Sequence, residues 1–361
     1  MFTKTLKHNT SIDRRSGEAG FSLVELIVSI TLFLIVTGAI YGVLDVARKS
    51  RTAVSQDVEL SKAVRVGMAL LGRDTYNAGY GYPLKSTVIL PDNRISVLLG
   101  IPNDIDTTRD TVPPIIAGNN ITVNTLNPTS NTKTDQVTFL FKDPTFNLIG
   151  IPPNQISTPL SVNAATTNGS GIDEIVPLTG SNSVSRINDI YLVTGNAGST
   201  LAVVTAKLGS NKLQFANADL LNFNQTGTGG PLRGIVIPAA LTRVLMVTYF
   251  VTSDGTLTRR DYANVPPPPV APAYVDEPLV YGVEDFQIKY VMDNGTQLDN
   301  PAAGPDGIIG NTDDEESLLQ GVRQIRFTVN VRSNELDSSR QPFRTSMTSV
   351  FSTRNLGYAA N

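Results

Sequence analysis

The carboxylate of Glu25 is the side chain with the clearest chemical implication in this sequence. It lies in the run from Phe21 to Leu44, which contains no second charged residue. These 24 residues are enough to cross a hydrocarbon core of about 30 Å as a helix. An ionisable group inside such a span costs about 2.5–3.5 kcal/mol, so it usually has a partner and a function. The alternative is a plain membrane anchor whose carboxylate reaches the headgroups near the end of the span.

A second group of oxygen-bearing side chains lies between two late predicted strands, in a segment that also contains Gly307 and Gly310. Its members are Asp306, Asn311, Asp313, Asp314 and Glu315. Oxygen ligands of this kind suit a hard cation such as calcium, although the spacing is not that of an EF-hand loop. We expect no other cofactor. The alternative to a calcium site is a solvated acidic loop.

The composition argues against most kinds of catalysis. The chain has no cysteine and its single histidine is His8, so thiol chemistry and a Ser-His-Asp arrangement are excluded for the residues after it. No P-loop, dinucleotide fingerprint or HExxH motif occurs. The net charge of −3 gives no support for nucleic-acid binding. We therefore expect a protein that is not an enzyme.

The predicted membrane helix continues beyond the span as an amphipathic helix. No proline occurs between Asp45 and Asn77, and the apolar or small side chains recur at helical spacing. They are Val54, Val58, Ser61, Val64, Met68, Leu71 and Thr75. Glycines and a proline after Asn77 end the helix. This face predicts a helix that rests on a domain.

The second half of the chain has the two-residue periodicity of β-strands. Two hairpins are predicted, around Gly195–Gly198 and around Ser253–Gly255, and a single strand is predicted over Pro278–Met292. Gln324–Arg332 places Ile325, Phe327, Val329 and Val331 on one face. Before this region, one strand is predicted at Gln136–Phe141, in a stretch of otherwise long loops and short strands. The sequence thus predicts an α+β fold, a long helix packed on an antiparallel sheet.

The start of the chain resembles a known export signal. Residues 1–20 are polar and basic, and the small residue Gly20 precedes the apolar run instead of following it as in an ordinary secretory signal. The sequence from Gly20 to Leu26, GFSLVEL, resembles the leader junction of type IV prepilins and pseudopilins. This resemblance implies cleavage after Gly20 by the prepilin peptidase, N-methylation of Phe21 and a role for Glu25 in assembly. It also implies a cytoplasmic amino terminus and a pilin fold.

The resemblance suggests a physical partner for Glu25. Cleavage after Gly20 would create a cationic amine at Phe21. In a helical array, Glu25 of one subunit could lie beside the Phe21 amine of a neighbour, and each charge would lower the insertion penalty of the other. We expect a variant without this carboxylate to enter the membrane but to be impaired in filament incorporation.

Motifs later in the chain resemble particular members of this class of proteins. The helix exit NAGYGYP and the segments GTLTR, LVYGVEDF, IRFTVNVRS and FSTRNL resemble PilW-type minor pilins and are similar to the J-type pseudopilin of type II secretion. The implied role is a minor pilin in initiation or assembly of a type IV pilus. The alternatives are a secretion pseudopilin and a tip adhesin or receptor-binding subunit.

This interpretation carries expectations about partners and location. The expected partners are the prepilin peptidase, other major and minor pilins and the inner-membrane assembly platform. The protein is expected to cross the bacterial inner membrane once, with its carboxyl-terminal domain in the periplasm, and then to reach the pilus or cell surface. We divide the chain into a leader (1–20), a span (21–44), an amphipathic continuation (45–79), a loop-rich insertion (80–187) and a β-sheet domain (188–361).

Overall fold

The protein has an α+β, pilin-like layout in which one long helix precedes a β-rich region. The computed structural model describes residues 20–83, 88–100, 109–126, 133–149, 156–163, 172–217, 219–225, 230–262, 274–300, 321–336 and 341–356. The chain forms two compact units, Met1–Val54 and Ser55–Asn361. Helix α1 (Leu23–Asn77) is the long helix, and its end at Asn77 confirms the predicted boundary.

The last turns of α1 supply one side of the core of the second unit. Val64, Met68 and Leu71 are almost fully buried, and their spacing of four and three residues places them on one face. The prediction was wrong for the start of this face, because Val54 and Val58 are 62% and 60% exposed. Leu60 is the first described apolar residue of α1 that packs against the core. Periodicity alone does not reveal how far the covering strands extend.

Two glycines allow α1 to approach the sheets closely. A Cβ atom on Gly72 would lie 2.4 Å from Cε1 of Phe351, and one on Gly67 would lie 2.9 Å from Cγ2 of Val280. Both distances are well below van der Waals contact. Glycine weakens a helix by about 1 kcal/mol relative to alanine, so close packing is the reason that this helix tolerates two of them.

The described residues also form eighteen strands, one short α-helix and a 3-10 helix at Leu232–Gly234. The elements from the helix end to the middle of the chain are β1 (Val88–Ile89), α2 (Arg94–Leu99), β2 (Ile115–Val123), β3 (Lys133–Lys142), β4 (Leu148–Ile149), β5 (Ile156–Ser157), β6 (Leu160–Ser161), β7 (Ile175–Pro177), β8 (Ile190–Gly195) and β9 (Gly198–Val203). The later ones are β10 (Ala206–Leu208), β11 (Lys212–Gln214), β12 (Ala240–Val251), β13 (Leu257–Asp261), β14 (Val275–Val280), β15 (Val283–Met292), β16 (Gln297–Leu298), β17 (Val322–Leu336) and β18 (Pro342–Ser352).

The largest sheet is organised around β12. Nine described strands belong to it, in the order β1-β9-β8-β12-β13-β14, with β2, β3 and β6 attached beside this path. β12 is antiparallel to β8, β13, β3 and β6. The hairpins β8–β9 and β12–β13 confirm both hairpin predictions.

The segment predicted to be loop-rich contributes central strands to this sheet. β3 pairs with β12 over six residues and with β2 on its other side, and Val137, Phe139 and Leu140 are fully buried. The strand predicted at Gln136–Phe141 is confirmed by β3, and β4, β5, β6 and β7 are short strands as predicted, but the nine-residue β2 was not predicted. A strand buried on both faces does not alternate in polarity, and the polar residues around β3 concealed its length.

A second sheet has the strand order β16-β15-β17-β18, with every pair antiparallel. The alternation predicted for β17 is confirmed, since the four side chains assigned to its inner face are all buried. The prediction of a single strand over Pro278–Met292 was wrong. It is divided into β14 and β15, which lie in different sheets, by a turn at Gly282 with φ of 75°. Glycine accommodates this positive φ without strain.

Two buried side chains join the second sheet to the first. The carboxylate of Asp135 accepts hydrogen bonds from the backbone N–H groups of Asn120 and Ile288, at 2.9 and 2.7 Å. The side-chain amide of Asn124 donates to the carbonyl of Val283 at 2.6 Å. These two side chains therefore provide hydrogen-bond partners for backbone groups of β15 that no neighbouring strand pairs with. Burial raises the pKa of Asp135 to about 6, although the two N–H donors favour its ionised form.

An ionic network fixes the end of α1 to the large sheet. Asp74 is 1% exposed, and its Oδ2 accepts hydrogen bonds from the Tyr249 hydroxyl at 2.7 Å and from Nε of Arg259 at 3.0 Å. Its Oδ1 accepts from Nε of Arg73 at 2.9 Å. Burial opposes the charge of Arg259, but the Asp74 carboxylate outweighs it and raises the pKa of the guanidinium. The network joins residues up to 185 positions apart, so sequence reasoning missed it.

Candidate functional site

The first turn of α1 is held by a capping box. Ser22 precedes the helix, and its Oγ accepts a hydrogen bond from the N–H of Val24 at 3.3 Å. In return, Oε2 of Glu25 accepts a hydrogen bond from the N–H of Ser22 at 3.0 Å. The carbonyl of Ser22 accepts the first helical hydrogen bond, from Leu26 at 3.1 Å. This reciprocal arrangement satisfies N–H groups that otherwise have no partner at a helix start.

The capping box gives Glu25 a local role that sequence reasoning missed. The signal was present, because Ser22 and Glu25 have the S-x-x-E spacing that defines the motif. The structure places both residues and Phe21 together at the start of α1. All three are exposed, Phe21 to 80%. Cleavage after Gly20, methylation of Phe21 and a role of Glu25 in assembly stay predictions.

The large apolar side chains in the first half of α1 are uncovered. Leu23 is 74% exposed, Phe33 69% and Val43 70%, and the other large apolar side chains as far as Val46 are also exposed. By length and composition, α1 is apolar enough to cross a membrane. Exposed apolar surface of this extent indicates a surrounding other than water, either lipid or further helices.

Nothing in the described fold requires glycine at position 20. A Cβ atom built there meets no described atom within 4 Å, in contrast to the crowded Gly72. A requirement for a small residue at this position would therefore come from a partner such as a peptidase. The same holds for Gly38 and Gly42 in the span, whose smooth surface is free for packing against another helix.

The predicted calcium site cannot be located. Its five residues, Asp306, Asn311, Asp313, Asp314 and Glu315, all lie outside the described residues. Among the described side chains, no group of three acidic residues or histidines is gathered in a way that would hold a metal ion. Calcium binding by the acidic loop stays a prediction.

A polar cavity is present in the second unit. Its volume is about 490 Å³, and Asp173, Glu174, Ile175 and Arg233 line it. Arg233 forms an ion pair with Asp173 at 2.8 Å, and both side chains are partly exposed. Charged groups of both signs in one open cavity suit a polar or zwitterionic ligand.

Comparison with known proteins identifies a family motif at the start of the chain. Residues 15–41 match the family model of the prokaryotic N-terminal methylation motif. The motif and the apolar helix support a type IV pilin-like protein, a class that includes pilins and pseudopilins. Such a protein is a structural subunit and generally not an enzyme. No curated protein matches the sequence.

The motif also has consequences for processing and location. It implies processing by the prepilin peptidase and assembly with other pilins. Together with the single described helix that is long and apolar enough to span a membrane, it suggests a single-pass anchor in the inner membrane.

Proposed function

We propose that this chain is a minor pilin of the PilW type that takes part in initiation or assembly of a type IV pilus. The observation that carries the proposal is the methylation motif at residues 15–41, at the start of a helix whose large apolar side chains as far as Val46 are left uncovered by the described chain. Lipid would cover these side chains in the single subunit. The helices of neighbouring subunits would replace the lipid in the filament.

Glu25 is the residue on which assembly depends in this proposal. Its carboxylate lies at the amino-terminal end of the apolar helix, one turn from the position of the cleavage site. In the filament it pairs with the Phe21 amine of a neighbour, because two opposite charges in an apolar surrounding are tolerated far better together than apart. The pair also sets the axial position of one helix against the next.

A minor subunit is favoured over a major one by the later part of the chain. The segments that resemble PilW-type minor pilins fall on β13, the β14–β15 region, β17 and the end of β18. They belong to two sheets of the second unit, so the resemblance extends over more than a single hairpin. A pseudopilin of type II secretion is the alternative with the same helix and the same processing.

The test is incorporation into sheared filaments. Glu25→Ala should be processed and inserted normally but should reach the filament at less than about a tenth of the wild-type level, since one unpaired charge costs over 1.4 kcal/mol. Val28→Ala, in the same exposed stretch of α1, is the matched control and should incorporate normally. Mass spectrometry of the filament subunit should find methylated Phe21 at its terminus. Normal incorporation of Glu25→Ala would contradict the assembly role, and finding the subunit only in the secretion apparatus would favour the pseudopilin.

One observation favours a second function, binding of a receptor at the filament tip. The cavity of about 490 Å³ is lined by Asp173, Glu174 and Ile175, which lie in the loop-rich insertion (80–187), and this insertion would supply the binding surface of a tip adhesin. Arg233→Ala should then reduce attachment to host or abiotic surfaces while pilus number stays normal. Lys207→Ala, at another exposed position of the same unit, is the control. Unchanged attachment by Arg233→Ala would remove this cavity from consideration.

A further inference from the structure

We propose that Ser22 is a positioning residue for Glu25, and that the capping box holds the carboxylate of the single subunit ready for the neighbour's amine. The inference rests on the proposed function, because it concerns the same assembly step. It starts from two hydrogen bonds, from the N–H of Ser22 to Oε2 of Glu25 and from the N–H of Val24 to Oγ of Ser22.

The capping box provides the Glu25 carboxylate with a hydrogen-bond donor before assembly. A subunit alone in the membrane has no neighbouring amine, and its Glu25 side chain lies among exposed apolar side chains. Deeper in a helix, every N–H is already bonded to the carbonyl four residues earlier. Only at the helix start are N–H groups free to bond a carboxylate. Glu25, three residues after Ser22, can therefore obtain a partner from its own chain.

The arrangement also leaves part of the carboxylate available. Oε2 accepts the Ser22 N–H, whereas Oε1 accepts no hydrogen bond from the residues that the structure describes. The capping box restricts the rotamers of Glu25, so less side-chain freedom is lost when a cation binds. Oε1 is then presented at the helix start, where an ammonium group of the next subunit can reach it without displacing the Ser22 N–H.

Ser22 contributes through two groups, and side-chain substitution tests one of them, the hydroxyl. Its N–H is the donor to Glu25, and its Oγ keeps the backbone in the capping conformation by bonding the Val24 N–H. Alanine removes Oγ and is a poor capping residue, whereas threonine retains the hydroxyl. Ser22→Ala should therefore loosen Glu25, and Ser22→Thr should behave as the wild type.

The experiment measures incorporation of the full chain into sheared filaments, relative to its processed pool in the membrane. Ser22→Ala should incorporate about fivefold less than the wild type, the factor that corresponds to loss of a typical helix cap. Ser22→Thr should restore the wild-type level. In a Glu25→Gln background, Ser22→Ala should cause no further loss, since its effect passes through the carboxylate. A loss of equal size in both backgrounds would mean that Ser22 acts on the helix alone, and would overturn the inference.

A second measurement does not depend on assembly. In the processed protein in detergent micelles, hydrogen exchange of the Ser22 amide should be slowed in the wild type, and Glu25→Ala should abolish this protection. Equal exchange in both proteins would refute the capping role of Glu25. If Glu25→Ala itself incorporates normally, the assembly role in the proposed function fails. If only Glu25→Ala is impaired and Ser22→Ala equals the wild type, the positioning role of Ser22 fails alone.

Discussion

Replacement of Asp74 by alanine should strongly destabilise the second unit of this protein. The carboxylate is 1% exposed and binds Tyr249, Arg259 and Arg73 at distances of 2.7 to 3.0 Å. Without it, the Tyr249 hydroxyl loses its acceptor and the guanidinium of Arg259, 11% exposed, loses its shortest ion pair. The end of α1 also loses its polar attachment to β12 and β13.

The expected loss of unfolding free energy depends on the contacts that each partner of Asp74 retains. Removal of one member of a buried ion pair costs about 3–5 kcal/mol. Arg259 keeps two weaker contacts, with Asp261 at 3.5 Å and Glu277 at 3.7 Å, so the lower end of that range applies to it. A buried hydroxyl without a partner adds about 1 kcal/mol. We expect Asp74→Ala to lower the free energy of unfolding by about 3–4 kcal/mol.

The measurement is urea unfolding of the processed full-length chain in detergent, followed by tyrosine fluorescence because the chain has 11 tyrosines and no tryptophan. Tyr249→Phe removes one hydrogen bond and no charge, so it should cost about 1 kcal/mol. Asp74→Asn keeps the shape of the side chain and removes its charge, so its loss of unfolding free energy should lie between those of Tyr249→Phe and Asp74→Ala. A loss below about 1 kcal/mol for Asp74→Ala, or a loss equal to that of Tyr249→Phe, would refute the importance of the ion pair.

Two further predictions concern the contact between the sheets and the packing of α1. The pKa of Asp135 is raised to about 6 from its ordinary 3.8, so the folded protein binds a proton that the unfolded chain releases, and stability should fall as pH rises from about 4 to about 6. Between pH 4 and pH 7, the free energy of unfolding of Asp135→Asn should rise by about 2 kcal/mol relative to that of the wild type in urea unfolding; parallel pH profiles would contradict this. Gly72→Ala should destabilise by about 1–3 kcal/mol despite the better helix propensity of alanine, because the new methyl group meets the ring of Phe351. A combined Gly72→Ala, Phe351→Leu variant, with a smaller side chain opposite, should recover part of the loss in the same assay, and no recovery would argue against the clash.

The residues at the start of the chain show how much of the candidate site the sequence contains. Gly20, Phe21 and Glu25 lie within six residues of one another, so their types and spacing predict a leader junction without knowledge of the fold. The match to residues 15–41 supports the same class of protein. The capping box was also a local signal, since it needs only Ser22 and Glu25 three positions apart. Its hydrogen bonds explain how the carboxylate is held in a single chain.

The β-rich region shows where local reasoning fails. The inner face of β17 was predicted correctly because it alternates cleanly and one side is buried. The division of Pro278–Met292 was missed, because a positive φ at Gly282 and the different sheets of β14 and β15 depend on pairing with distant strands. The central place of β3 beside β12 was missed for the same reason.

The sequence by itself determined the long apolar helix, the carboxylate at its start and the alternating strands, because each depends on residues within a few positions of one another. Tertiary structure alone decided which strands share a sheet, where α1 begins to be covered, and that Asp74 meets Arg259 across 185 positions. Those outcomes arise from long-range packing and from the need of buried polar groups for partners. Neither requirement leaves a local pattern that says which distant residues will meet.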